Sequence, residues 1–257
     1  MTLLAVAVGG RGLVDPNEPV FSADDEALLR GGAAFETVRV YGGLPFLLVR
    51  HLERLASSAR ALALPAPVGV ELLVDFVLAA APPDHVLRIY RTDELLIATA
   101  AALPTDLEEE RARGMTLATV ERGASELLAG VKSTSYAEAF AARRSVDADD
   151  VVFVSDGAVR ECATANIWWR RGDVLFTPAA GPGVLNGVTR GFLLGVEAAV
   201  EGAFPPADLA TADEVFTTSS IREVMPVVEL DGRPVGDGSP GPAAARLQAA
   251  IRLHSTQ

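Results

Sequence analysis

Lys132 is the only lysine in this 257-residue chain; every other Lys/Arg position is arginine. A drift toward arginine has left one lysine where a guanidinium could not serve. Imine formation with a carbonyl needs a primary amine that can lose its proton, which arginine does not offer. Further along, Glu161 and Asn166 stand in SDGAVRECATANIWWRRG, and after them comes LNGVTR, a glycine turn opening into an apolar helix. At that helix start the amides of Val188 and Thr189 point outward at the positive end of the dipole, and the Thr189 hydroxyl joins them. A dianionic phosphate suits such a cradle.

Composition narrows the class of chemistry. Apolar residues make up 49% of the chain and charged residues 22%, values ordinary for a globular protein, so disordered and fibrous classes are excluded. A net charge of −12 with scattered basic residues argues against nucleic acid as a partner. The single cysteine, Cys162, forbids an internal disulfide, and three histidines without ligand-like spacing argue against a structural metal. A reducing cytoplasm fits. The apolar start MTLLAVAV lacks a basic flank and is too short to cross a bilayer, so it reads as a first strand, and no membrane partner is expected.

The elements that must position these residues follow from periodicity. Alternating patterns at TLLAVAV, ETVRVY, HVLRIY and ELLIATAAAL predict strands of an antiparallel sheet, with helices at LLVRHLERLASSARAL and GVELLVDFVLAAA between them. The first of these helices should stop at ALALPAP. The charged segment PTDLEEERARG reads as a linker, which divides the chain into an N-terminal α/β domain over 1–104, a linker over 105–113 and a C-terminal domain over 114–257. In the latter, MTLATVE, DVVFVS, NIWWRR, DVLFTP and DEVFTTS predict strands. YAEAFAARRS, GVTRGFLLGVEAAVEG and PAAARLQAAIRL predict helices. The class is α+β.

These motifs, together with RGGAAFETVRVYGGLPFLLVRHLERL and ADEVFTTSSIREVMPV, resemble in order and spacing the class IV aminotransferase family. That family comprises the fold-type IV pyridoxal-phosphate enzymes, including D-amino-acid transaminases, branched-chain aminotransferases and aminodeoxychorismate lyases. The resemblance runs from about Arg30 to Val227. It implies the two-domain, D-amino-acid aminotransferase-like fold, pyridoxal 5'-phosphate as cofactor, small amino and 2-oxo acids as partners and a homodimer. Lys132 would hold the cofactor as an imine and then shuttle the proton, while Glu161 would keep the ring nitrogen protonated. Arg54, Val188, Thr189 and Ser220 would take the phosphate. Asn166 would lie beside the ring or pack a turn, and Tyr136 would reach the phenolic oxygen. Phe35 and His51 read as packing residues, Cys162 as a buried neighbour of Glu161, and at least one of Trp168 and Trp169 as core.

Substrate choice turns on the carboxylate-binding group. Arg30 and Arg88 match positions lining the mouth of the family's site, and two guanidiniums can grip an α-carboxylate. The usual D-amino-acid transaminase pair after this strand is missing from RTDELLIATA, and Val86 stands where a branched-chain enzyme offers tyrosine. A variant group of D-amino-acid transaminases with two arginines fits better. Held on the phenolic-oxygen side, the carboxylate would select D-amino acids. A pyruvate-releasing 4-amino-4-deoxychorismate lyase is the alternative, supported by the ECATAN segment and by Thr37. A branched-chain aminotransferase and a catalytically silent ligand-binding relative come after it.

Overall fold

The computed structural model describes residues 2–255, with Leu28 described by its backbone alone. Contacts divide the described chain into two compact units. The first runs to Pro104 and adds Val131–Tyr136, and the second takes Thr105–Gly130 and Ala137–Ser255.

The first unit contains β1 (Leu3–Val8), β2 (Gly12–Val14), α1 (Glu26–Arg30), β3 (Ala34–Tyr41), β4 (Leu44–Pro45), α2 (Leu48–Ala61), α3 (Val70–Ala80), β5 (His85–Arg91) and β6 (Leu96–Ala101). Among the described residues its strands form one six-stranded sheet, ordered β2-β1-β6-β5-β3-β4, with every pairing antiparallel. Side chains alternate across a strand with period two. In β3 this sends Ala34, Val38 and Val40 into a core shared with Leu55 and Ala59 of α2 and Val74 and Val77 of α3. Phe35, Thr37, Arg39 and Tyr41 therefore occupy the opposite face. There the register aligns Thr37 with Arg88 and Thr99, and Arg39 with Val86 and Ala101, across three strands. As the sequence predicts, α2 ends ahead of Pro65 and Pro67.

The second unit contains α4 (Leu107–Arg113), β7 (Met115–Glu121), α5 (Ala137–Arg144), β8 (Asp150–Ser155), β9 (Ala158–Cys162), β10 (Asn166–Arg171), β11 (Val174–Pro178), α6 (Val188–Val196), β12 (Ala199–Gly202), α7 (Pro206–Ala210), β13 (Glu214–Ser219), β14 (Glu223–Leu230), β15 (Arg233–Pro234) and α8 (Pro242–Ser255). Its described strands form a sheet ordered β12-β11-β10-β13-β14-β7-β8-β9, with β15 attached to β14. The pairs β11–β12, β14–β7 and β7–β8 are parallel. Met115, Val152, Ile167, Trp169, Val215 and Met225 centre its core.

Two segments differ from their periodicity. The helix predicted over 187–202 stops at Val196, and Ala199–Gly202 instead pairs with Leu175–Pro178 as an edge strand. Alanine and valine fill an edge strand as readily as a helix face, so pairing with β11 decides. Within the charged stretch 105–113, Leu107–Arg113 forms a helix with glutamates in its first turn and arginines in its last, the arrangement that favours the helix dipole.

Candidate functional site

In the first unit, the segment carrying Lys132 is laid along the start of β3. The Lys132 amide donates to the Ser58 hydroxyl at 3.0 Å, and its carbonyl accepts from the Phe35 amide at 3.1 Å. Thr134 donates its amide to the Ala33 carbonyl at 2.9 Å, and the Ser135 hydroxyl donates to the Gly31 carbonyl, also at 2.9 Å. Gly31 is required here: its φ is +67°, and an added Cβ would lie 3.0 Å from the Thr134 carbonyl oxygen. The backbone on both sides of the lysine is thus fixed while its Nζ lies 4.5 Å from the centre of the Phe35 ring. Phe35 stacks on Tyr90 and meets the edge of Tyr136 at 5.8 Å, in keeping with a packing residue.

Behind this face lies a charge network that periodicity does not reveal. Glu36 is fully buried, accepts from Arg54 through Nε and Nη2 at 2.7 Å each, and is joined by His51 Nδ1 at 2.7 Å. Burial works against the Glu36 charge, but the hydrogen bonds and charges of Arg54 and His51 outweigh it and hold the carboxyl at about 2. Burial pushes the His51 ring down; Glu36 opposes that, while Arg54 and Lys132 add to it. Arg54 therefore arrives with two donors already engaged and its guanidinium plane fixed. His51, expected as packing, is buried as a polar partner. A signal was present: a glutamate on the inward face of an otherwise apolar strand needs a partner.

Arg88 stands mid-strand on the opposite face, between Thr37 and Thr99. Arg30 does not share that face. It ends α1, is 74% exposed, and pairs with Glu26 at 2.5 Å.

The second unit gathers Glu161, Asn166 and the start of α6. Glu161 Oε2 accepts from the Leu185 amide at 2.8 Å and from Asn166 Nδ2 at 3.2 Å, and Asn166 Nδ2 also reaches the Leu185 carbonyl at 2.9 Å. Asn166 thus both packs a turn and orients a carboxylate. Gly187 follows, where an added Cβ would lie 2.0 Å from Asn166 Oδ1. α6 then begins with no side-chain cap, and its first helical bond is Gly191 N–H to the Gly187 carbonyl. Amides of the first turn precede the helical ladder by geometry, and Val188 and Thr189 are buried there.

Ser220 lies in the turn between β13 and β14, whose neighbour Glu223 has φ +57°. Glu223 is buried and receives Arg252 at 2.6 and 2.7 Å, Arg111 at 3.1 Å and Gln248 at 2.5 Å. Arg111 donates further to the Arg222 and Val224 carbonyls. Cys162 is buried and burial raises its thiol well above the usual range, so it is unreactive. Trp168 and Trp169 are both core: one donates Nε1 to Thr218 at 3.0 Å, the other stacks on Phe176.

This donor set fits an aromatic aldehyde carrying a phosphate. Taken unit by unit, the first offers an amine for the aldehyde, and the second offers an oriented carboxylate for a ring nitrogen and an uncapped helix start behind a glycine where an added Cβ would meet Asn166. Among the described residues no cluster of three or more His, Cys, Asp or Glu is placed to hold a metal, and no helix is long and apolar enough to cross a membrane.

Comparison with known proteins agrees with this chemistry. The family model described as amino-transferase class IV matches residues 33–230. A putative branched-chain-amino-acid aminotransferase of Methanocaldococcus jannaschii is 28% identical, covering 91% of each chain. The aminodeoxychorismate lyase of Bacillus subtilis is 28% identical over 95% of this chain and 92% of its own. The D-alanine aminotransferase of Bacillus licheniformis is 27% identical over 97% and 96%. Among solved structures, the PLP-bound form of a hypothetical aminotransferase from Mycobacterium tuberculosis superposes with a TM-score of 0.86 at 27% identity, covering 97% of this chain and 98% of that one. A fold IV-transaminase from Curtobacterium pusillum gives 0.81 at 28%, covering 96% and 93%.

Proposed function

The chain belongs to the amino-transferase class IV family, with the fold-type IV architecture and pyridoxal 5'-phosphate as its cofactor, and from that premise we propose that it moves an amino group between a D-amino acid and a 2-oxo acid. When bound, the cofactor supplies an aldehyde that takes up amines and a ring that withdraws electrons from the carbon losing its proton.

The chain's own residues do the rest. Lys132 Nζ would hold the cofactor's aldehyde and, once displaced by substrate, would serve as the base that takes up and returns the substrate's proton. A fixed backbone on both sides of Lys132 limits that transfer to one face. Glu161 keeps the proton on the ring nitrogen, its Oε2 oriented by the Leu185 amide and Asn166. The Val188 and Thr189 amides, the Thr189 and Ser220 hydroxyls and Arg54 would take the phosphate, and Tyr136 would donate to the phenolic oxygen.

The observation that carries the substrate reading is Arg88 on the sheet face, flanked in register by Thr37 and Thr99, with Val86 two residues before it. Such a guanidinium can bind a carboxylate, with a hydroxyl-bearing residue beside it in register on each neighbouring strand. Arg30, exposed at the end of α1, would serve the neighbouring site of a homodimer. The lyase is the second reading, favoured by Thr37 directly opposite Arg88.

The deciding experiment follows the cofactor absorbance of the holoenzyme mixed separately with D-alanine, D-glutamate and L-leucine. Conversion by the D-amino acids is expected. A preference for L-leucine would move the chain to the branched-chain branch, and pyruvate release from aminodeoxychorismate without an amino acceptor would make it a lyase. Lys132→Ala should remove the absorption band of the lysine-bound cofactor, because no second lysine can replace it.

A further inference from the structure

We propose that Glu223 is a positioning residue for the cofactor phosphate, holding the turn that carries Ser220 in the shape that presents its hydroxyl. The inference rests on the reading of Ser220 as a phosphate donor and adds what keeps that donor in place.

β13 and β14 pair as far as Ser219 and Glu223, which leaves Ser220, Ile221 and Arg222 as the turn between them. The chain returns to β14 through Glu223 at φ +57°, a left-handed conformation that suits glycine. Four other non-glycine residues among those described share a positive φ. Asp156 and Asp231 open aspartate–glycine turns, Leu47 and Ala63 flank α2, and none of the four is buried. Glu223 alone joins a strained backbone to a buried charge. Strain of this kind persists where the surroundings over-determine it, and it gathers at functional sites.

The surroundings here are a clamp from two helices. Arg252 of α8 donates Nε to one Glu223 oxygen at 2.6 Å and Nη2 to the other at 2.7 Å, and Gln248, one turn earlier, donates to the latter at 2.5 Å. Arg111 of α4 adds a bond at 3.1 Å. The same partners grip the adjoining backbone: Arg111 donates to the Arg222 and Val224 carbonyls, and Gln248 Oε1 accepts from the Val224 amide. The Arg222 amide donates to the Ser219 hydroxyl, and its side chain pairs with Glu110, each at 3.3 Å. Ser220 therefore lies between two anchored ends, and every one of these contacts falls within the second unit. A buried ion pair contributes little net stability compared with apolar packing of the same volume, so what this one contributes is a fixed geometry.

The test titrates apoprotein of the full chain with pyridoxal 5'-phosphate and, separately, with pyridoxal, which carries the same aldehyde and ring without the phosphate. Parent, Glu223→Gln, Arg252→Gln and Ser220→Ala are compared, with thermal midpoints alongside. Glu223→Gln should weaken pyridoxal 5'-phosphate at least tenfold and pyridoxal less than twofold. Arg252→Gln leaves Arg111 and Gln248 on the carboxylate and should give a smaller loss of the same kind. A clamp that serves stability alone would lower the midpoint and leave the preference for the phosphate ester where it was. An unchanged preference in Glu223→Gln, or in Arg252→Gln if the glutamine variant at 223 does not fold, overturns the inference. Ser220→Ala then tells how far the failure reaches: if it loses the preference, the phosphate reading of the turn stands without Glu223, and if it too is parent-like, that reading falls as well.

Discussion

Glu36 bears the heaviest electrostatic demand in the first unit, and its environment predicts how the protein responds to acid. Its carboxyl is held at about 2 against an ordinary 4.5, so its contribution to stability is complete above 4.5 and is lost as pH falls toward 2. The amount is at most about 3 kcal/mol. The His51 ring, also lowered, acts in the same direction from nearer its ordinary 6.5 downward, because the unfolded chain takes up that proton first. Thermal midpoints measured across pH 7 to 3 should therefore decline steadily, and Glu36→Gln should flatten the lower part of the curve. That variant should also cost about 3 kcal/mol at neutral pH by leaving Arg54 without its carboxylate; denaturant titration reads it. Arg88→Ala should remove roughly 2–4 kcal/mol of transition-state binding, seen as a fall in kcat/KM with D-alanine. Lys132 stands out in the sequence because it is the one lysine of the chain and the proposed imine would admit no other residue type. The partners of Glu36 are not, because they lie 15 and 18 residues away on a helix and meet it only when α2 packs on β3.

At the scale of elements, the most exacting junction is the turn from Leu185 into α6. Gly187→Ala would drive a methyl into the Asn166 side chain, displacing the residue that orients Glu161. Cofactor affinity should fall more than tenfold, measurable by spectral titration of the apoprotein, and Asn166→Ala combined with Gly187→Ala should recover part of the binding. The alternating strand Met115–Glu121 and the continuous apolar run of Asp150–Ser155, buried throughout, are both readable at their full length. β14 is not, since a proline argues against a central strand. Pro226 is tolerated because the register with β7 begins only at Val227, opposite Met115. The clamp on Glu223 is equally hidden, its arginines coming from α4 and α8.

For the molecule as a whole, assembly is the open expectation with the largest consequence. A twofold dimer would give each site an Arg30 from its neighbour, so sedimentation should return a two-chain particle at assay concentrations. An active monomer would remove that role and leave Arg88 to act unaided. The division of the chain carries a different implication. The six residues around Lys132 belong to the first unit although they follow Gly130 of the second. During synthesis, then, the first 104 residues leave the ribosome with the Phe35 amide and the Ala33 carbonyl still waiting for Lys132 and Thr134. The first unit is therefore not one contiguous stretch, and a chain cut short after Pro104 lacks both the backbone partners of Ala33 and Phe35 and the one lysine of the sequence.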